Sequence, residues 1–306
     1  VIFLYNGSPR FWNGLDEVTM ARLLLFSTSV VLTMVLMNSA RAAYVGAVSS
    51  ATAESGRASV EATDAPYLNP ASLAFLKGYL FSAGYSTASD KKSERARDFA
   101  LALTDSMKET VVPTALSFAQ SKADFTSEEQ VARDFKLSFG NFFMPGLAIG
   151  FGLRYKDDQL PQDRYNQING DIGGLYSINE NLGFAAVLEN VMGANGNVPE
   201  DLRLRPRTSV GAASIYRRFL RLRLDAISAT NNSWDRPILA GGLETYMNKW
   251  MIFRLGAQRR NEENANVYSM GFGFSGPRFG IHYAYLTSPQ QESFTRHTVD
   301  LAFPIW

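Results

Sequence analysis

From residue 78 onward, apolar side chains alternate with small or polar ones in one segment after another, and this period of two constrains the fold more than any other feature. The stretch "PGLAIGFGLRYKDDQ" at 145–159 shows it most clearly. Leu147, Ile149, Phe151, Leu153 and Tyr155 take one face, while Ala148, Gly150, Gly152, Arg154 and Lys156 take the other. Such alternation is a β-strand with one apolar face. About 14 segments read this way, at 78–87, 98–106, 111–121, 132–142, 146–156, 166–177, 182–191, 206–216, 219–228, 237–246, 250–260, 267–275, 279–287 and 296–306. Most run roughly 9–12 residues, the length a tilted strand needs to cross a bilayer. Strands of soluble sandwiches are nearer about 5–6 residues.

The connections sort by length. Even-to-odd joins are short: "FFMP" near 142–145, "INEN" at 178–181, "MNKW" at 247–250 and "GPR" at 276–278. Odd-to-even joins are longer and polar: "ASDKKSERAR" at 88–97, "KADFTSEEQV" at 122–131 and "MGANGNVPEDLRLR" at 192–205. Short turns at one end and long loops at the other are what outer-membrane barrels show. Aromatic residues collect near both strand ends, with Tyr79, Phe142, Tyr176, Tyr216, Trp250 and Trp306 at one and Tyr85, Tyr155, Tyr268 and Tyr285 at the other. Two aromatic girdles are expected at two bilayer interfaces. The expectation is an all-β fold, a transmembrane antiparallel β-barrel of about 14 strands over residues 78–306. Its final strand, "RHTVDLAFPIW", ends on an aromatic residue as barrels read by the assembly machinery do, although Trp306 falls out of phase and Pro304 lacks a ladder donor.

The N-terminal region reads differently. "MARLLLFSTSVVLTMVLMNSARAAYVG" from Met20 carries Arg22, an apolar stretch from Leu23 to Met37, and Ala40-Arg41-Ala42 as a small-x-small site. That is a cleaved signal peptide at 20–42. Residues 1–19 fit poorly before it, because Asp16 and Glu17 offset the basic residues, so translation is expected to start at Met20. Residues 43–77 are rich in Ala and Ser and show no strand alternation. A barrel of about 14 strands is wide enough to need filling, so this segment is expected to be a plug, or hatch, in the lumen.

The segment "EATDAPYLNPASLAF", with Asn69, Pro70 and Ala71, resembles the hatch motif of the FadL-type outer-membrane transporter superfamily, the long-chain fatty-acid transporters and their type IX secretion barrel relatives. "DIGGLYSINENLGFAAVLENV" at 171–191 is similar to a mid-barrel hairpin of those relatives, and "GIHYAYLTSPQQESFTRHTVDLAF" at 280–303 resembles their last hairpin. The resemblance implies an outer-membrane location and lateral transfer. A hydrophobic small molecule enters from outside, the hatch shifts, and the molecule leaves through a gap in the wall. In those transporters the gap comes from a kinked third strand; the third strand here, "VVPTALSFAQS", contains Pro113. The loops are too short to build the outer domain with which the fatty-acid transporters capture substrate, so a fatty-acid substrate does not carry over.

Polar positions share the lumen face. Asp171, Glu189, Arg221, Arg223, Asp225 and Glu244, with Arg203, Arg205 and Arg207, are expected to pair across a wet lumen and hold the plug. Chemistry is poorly supported. The chain has two histidines, His282 and His297, which parity places on opposite faces, so they do not form a metal site. No G-x-S-x-G elbow occurs, "GFGFSG" at 271–276 is strand rather than phosphate loop, and no cofactor is expected. With no cysteine there is no thiolate site, and a net charge of +1 without basic clustering argues against nucleic acid. The expected function is passage of hydrophobic small molecules across the outer membrane by a plugged, lateral-exit route. The alternatives are a non-transporting interaction barrel, such as a secretion accessory or surface-protein anchor, and a diffusion porin. Expected partners are outer-membrane lipid and the barrel-assembly machinery; the sequence names no partner protein.

Overall fold

The computed structural model describes residues 44–59, 61–89, 95–125, 128–200, 202–217, 219–229, 232–290 and 294–305. The expected signal peptide, the stretch before it and Trp306 lie outside the described residues. Among the described residues the strands are β1 (Gly78–Ser89), β2 (Arg95–Ser106), β3 (Thr114–Phe125), β4 (Glu128–Met144), β5 (Leu147–Gln159), β6 (Arg164–Asn179) and β7 (Leu182–Glu189). They continue as β8 (Arg207–Tyr216), β9 (Leu220–Ile227), β10 (Ile238–Tyr246), β11 (Met251–Arg260), β12 (Ala265–Ser275), β13 (Gly280–Ser288) and β14 (Phe294–Ile305). Each pairs antiparallel with its sequence neighbours, and β14 closes on β1 from Tyr79↔Ile305 to Ser89↔Thr295. Closure removes both free edges, so every strand has a ladder partner on each side, which a hydrocarbon environment demands.

The two faces invert those of a soluble protein. Phe151, Ile168, Leu224 and Phe272 are more than half exposed on the outer face, whereas Arg223, Glu244 and Arg254 are at most 1 % exposed inside. An apolar exterior around a charged interior is the arrangement of a barrel whose outer solvent is lipid. In β5 the apolar set from Leu147 to Tyr155 faces outward, and Ala148, Gly150 and Gly152 are buried toward the lumen.

Three expectations need correction. Of the connections expected at 88–97 and 122–131, residues 88–89, 95–97, 122–125 and 128–131 are strand, because β1 and β2 reach Ser89 and Arg95, and β3 and β4 reach Phe125 and Glu128. The ladder continues past the point where side-chain alternation ends, since above the hydrocarbon the outer face turns polar: Asp157 sits outside the barrel beneath Arg164, whose Nε donates at 2.7 Å. Pro113 lies one residue before β3 rather than within it, having no N–H for the ladder. Its carbonyl accepts from Gly140 N at 3.0 Å, and β3 pairs with β2 and β4 without a register shift. Arg203 and Arg205 belong to the 190–206 connection, where Arg203 Nε donates to Val198 O at 2.6 Å and Arg205 pairs with Glu200 at 2.8 Å. Pro304 is accommodated within β14 because β13 begins at Gly280, opposite Ala302, and leaves that side of Pro304 vacant.

The connection 190–206 folds onto the open end of the wall. Asn190 adopts a left-handed φ of 58° and donates its N–H to Asp171 Oδ1 at 2.9 Å. Gln167 Nε2 donates to Leu202 O at 2.9 Å, and Gln167 Oε1 accepts from Leu204 N at 2.9 Å, with Val198 and Leu202 buried beneath.

Candidate functional site

Residues 44–59 and 61–77 lie among the lumen-facing side chains of the barrel, with Tyr44 against Gly84 and Asp300 at mid-strand and Glu54 reaching Arg260 at the end of β11. The helical turn Ala47–Ala51 is built of small residues and is wholly buried. Small side chains let its backbone reach the wall: Ser269 Oγ donates to Ala51 O at 3.0 Å and accepts from Ala53 N at 2.9 Å. A second turn, Ala65–Leu68, leads into the 3-10 helix Pro70–Phe75.

Asn69, Pro70 and Ala71 sit at that junction. Asn69 is 1 % exposed. Its Oδ1 caps the 3-10 helix by accepting from Ala71 N at 3.0 Å, and its Nδ2 donates to Arg57 O at 2.9 Å. Pro70 fixes the first helical φ where no donor is needed. The wall opposite is glycine: an added Cβ at Gly150 would overlap the backbone of Pro70 and Ala71, and one at Gly173 would overlap Asn69 Oδ1. Those positions must therefore lack a side chain for the turn to seat as it does.

The interior is apolar where this 3-10 helix meets β3 to β6. Leu73 packs with Ala65 and Ala115; Ala71 packs with Ala148 and Leu175; Phe75 meets Phe142 edge-on at 4.8 Å. There β4 runs on to Met144 while β3 starts only at Thr114, opposite Phe139, and the 107–113 join completes the wall with Val111 and Val112 exposed.

Ion pairs make a further part of the contact. Arg57 bridges Asp225 at 3.2 Å and Glu189 at 3.3 Å, and Asp225 Oδ2 also accepts from Gly56 N at 2.9 Å. Glu61 pairs with Arg221 and, at 3.3 Å, with Arg223. Glu54 lies 3.5 Å from Arg260. On the wall itself Glu244 binds Arg221 and Arg223 at 3.0 Å each and Arg254 at 2.6 Å. Arg254 also meets His282 Nδ1 at 3.2 Å. Burial opposes ionisation of Glu61, but Arg221 beside it prevails and holds the carboxyl below its usual range. Asp171 faces a separate group nearer the open end, with Lys136 at 2.6 Å.

One carboxylate has no such partner. Asp64 is 2 % exposed, and neither oxygen accepts a hydrogen bond among the described residues. Burial, and then the charge of Asp300, push its pKa up to about 8. Asp300 accepts from Tyr44 OH and from Ala47 N at 2.5 Å.

Thus Asp171, Glu189, Arg221, Arg223, Asp225 and Glu244 all face the lumen, and four of them gather around Arg57 and Glu61. Glu54, Arg57, Glu61 and Asp64 were not singled out by sequence reasoning, because residues 43–77 carry no periodicity to assign a face. Arg254 was legible: it shares lumen parity with Ile252 and faces Glu244 in register. Two small cavities of ≈ 40 Å³ and ≈ 10 Å³ border the segment, the first lined by Phe75, Leu175, Ile215 and Arg221, the second by Tyr44, Tyr67 and Asp300.

No protein-family model matches the chain, and no curated protein matches it in sequence. Solved structures do match its fold. The CymD monoaromatic hydrocarbon channel superposes with a TM-score of 0.65 at 12 % identity, over 85 % of this chain and 97 % of that one. A Pseudomonas aeruginosa FadL homologue gives 0.64 at 10 % identity, over 88 % and 99 %. The Pseudomonas putida toluene transporter TodX gives 0.63 at 10 % identity, over 85 % and 97 %. The fold is that of a FadL-type barrel.

Proposed function

We propose that this protein passes small hydrophobic molecules across the outer membrane, that residues 43–77 plug the lumen, and that cargo leaves sideways near the start of β3. The observation that carries the reading is the apolar contact of the 3-10 helix Pro70–Phe75 with Ala115, Ala148 and Leu175 in an interior otherwise lined by charged, polar and small residues. That contact lies beside the join 107–113, where side-chain and turn hydrogen bonds replace a strand ladder; Asn141 Nδ2 donates to Val111 O at 3.0 Å. Loosening of the 3-10 helix would connect apolar surface inside to exposed Val111 and Val112 outside. The hydrocarbon channels of the same fold support the cargo class.

Uptake tests both parts. Cells making the protein should accumulate a labelled monoaromatic such as toluene faster than cells without it. The chain has no cysteine, so Val111→Cys with Asn141→Cys can be bridged by a short bismaleimide, and bridging should cut uptake several-fold. Uptake no faster than in control cells would overturn transport; uptake indifferent to the bridge would overturn the lateral exit.

A second reading, a non-transporting barrel that anchors a partner protein, is favoured by the small size of the cavities of ≈ 40 Å³ and ≈ 10 Å³. Absence of uptake together with a co-purifying protein would support it. A diffusion porin requires a wild-type protein that already conducts ions freely.

A further inference from the structure

The wall carries more positive charge at one place than its own acids neutralise. Arg221 and Arg223 share a face of β9, Glu244 faces Arg221 in register from β10, and Arg254 faces Glu244 from β11. Both oxygens of Glu244 lie within ion-pair distance of arginine, Oε1 of Arg221 and Oε2 of Arg223 and Arg254, although Oε1 accepts no hydrogen bond among the described residues. Three guanidinium groups thus surround one wall carboxylate. His282 adds a ring nitrogen to Arg254 and no negative charge. Arg221, Arg223 and Arg254 are 1–2 % exposed, and Arg221 Nε, Arg223 Nε and Arg254 Nη2 have no hydrogen-bond partner among the described residues.

Buried charge of one sign requires a counter-charge. Part of it comes from outside the wall: Arg221 Nη1 and Arg223 Nη2 both reach Glu61 Oε1. Glu61 differs from its partners in how it is held. The arginines project from paired strands and are clamped by Glu244, whereas Glu61 belongs to a turn, and its side chain is 19 % exposed against 3 % for that of Arg221. A carboxylate on the less constrained element is the part that can leave.

We propose that Arg221, Arg223 and Arg254 form an oxyanion-binding site in the barrel wall, filled in the closed barrel by the Glu61 carboxylate and open to a carboxylate or phosphate when the segment withdraws. Forked guanidinium donors suit either group. The ≈ 40 Å³ cavity beside Ser59 includes Arg221 in its lining, which places the site next to an opening rather than behind the segment. Glu61 then acts as an internal ligand, and a soluble anion competes with the segment for the wall. Nothing in a hydrocarbon route requires such a site, so it stands apart from the transport reading.

The test uses the full chain in a phosphate-free sugar detergent and reads binding rather than uptake. Inorganic phosphate is titrated and followed by phosphorus NMR, and phosphatidylglycerol is added in a parallel arm. Removal of the competing carboxylate by Glu61→Gln should tighten phosphate binding roughly ten-fold or more, the worth of a charge-assisted hydrogen bond. Arg223→Gln in that background should abolish the gain. Saturation by inorganic phosphate assigns the site to free anions, and saturation by phosphatidylglycerol alone assigns it to a lipid headgroup. Equal affinity in wild type and Glu61→Gln, a gain that survives Arg223→Gln, or binding in neither arm would overturn the proposal. A second measurement needs no charge variant. In the protein carrying Ser59→Cys, phosphate should speed thiol labelling relative to chloride at matched ionic strength, and an unchanged rate would overturn the proposal even if Glu61→Gln fails to fold.

Discussion

Asp64 is the residue at which pH should act. Its carboxyl faces Asp300 across Gly46, where an added Cβ would overlap one acid and touch the other. Tyr44 and Tyr67 flank the pair, Arg223 and Arg254 pull weakly toward ionisation, and Glu61 opposes them. A carboxyl whose pKa is raised in the docked state binds its proton more tightly there than when free. Docking is therefore favoured while Asp64 is protonated and weakens as pH rises through about 8. Measured against a free thiol at each pH, labelling of Ser59→Cys should accelerate several-fold between about pH 6 and about pH 8, and Asp64→Asn, neutral at all these values, should flatten that normalised profile. A profile unchanged by Asp64→Asn would locate the titrating group elsewhere. The sequence offered no route to this acid. Asn69 and Pro70 stood out as a motif, but the face that Asp64 presents depends on how the turns of residues 44–77 coil, which no short-range period encodes.

At the scale of elements, the seat of the 3-10 helix depends on glycines in β4, β5 and β6. Gly150→Ala should drive Pro70 and Ala71 off the wall while leaving the β4–β5 and β5–β6 ladders intact, because the added methyl points into the lumen and not along the strand. The expected outcome is several-fold faster labelling of Ser72→Cys with an unchanged heat-modifiable band. Gly170→Ala, whose Cβ meets nothing nearer than 3.4 Å, should do neither. The strands themselves were legible, since lipid on one side and a polar lumen on the other force a strict period of two through the bilayer. Their outer ends were not. Above the hydrocarbon both faces become polar, as Arg133, Asp157 and Arg164 show, and hydrogen bonding continues where the side-chain signal stops. Most of the ionic contact was half legible: the wall residues follow from parity, and their partners in the segment do not.

For the whole molecule, an even number of strands puts Gly78 and Ile305 at one end and the 190–206 connection at the other. With the chain ends on the periplasmic side, Gly196→Cys should label from outside intact cells, and Asn179→Cys and Asn248→Cys should label only after the outer membrane is breached. The reverse pattern would invert the molecule. The helical turn Ala47–Ala51 carries a last consequence, for the order of assembly. Its anchors lie on β12 to β14, and the bond from Ala47 to Asp300 spans 253 residues of sequence. Loops of that reach are the most costly in chain entropy and the slowest to form. The turn Ala47–Ala51 therefore has no completed seat until the last strand is in place. Until then the arginines of β9 and β11 face an unfilled interior, and the edges of β1 and β14 stay available to whatever chaperones them.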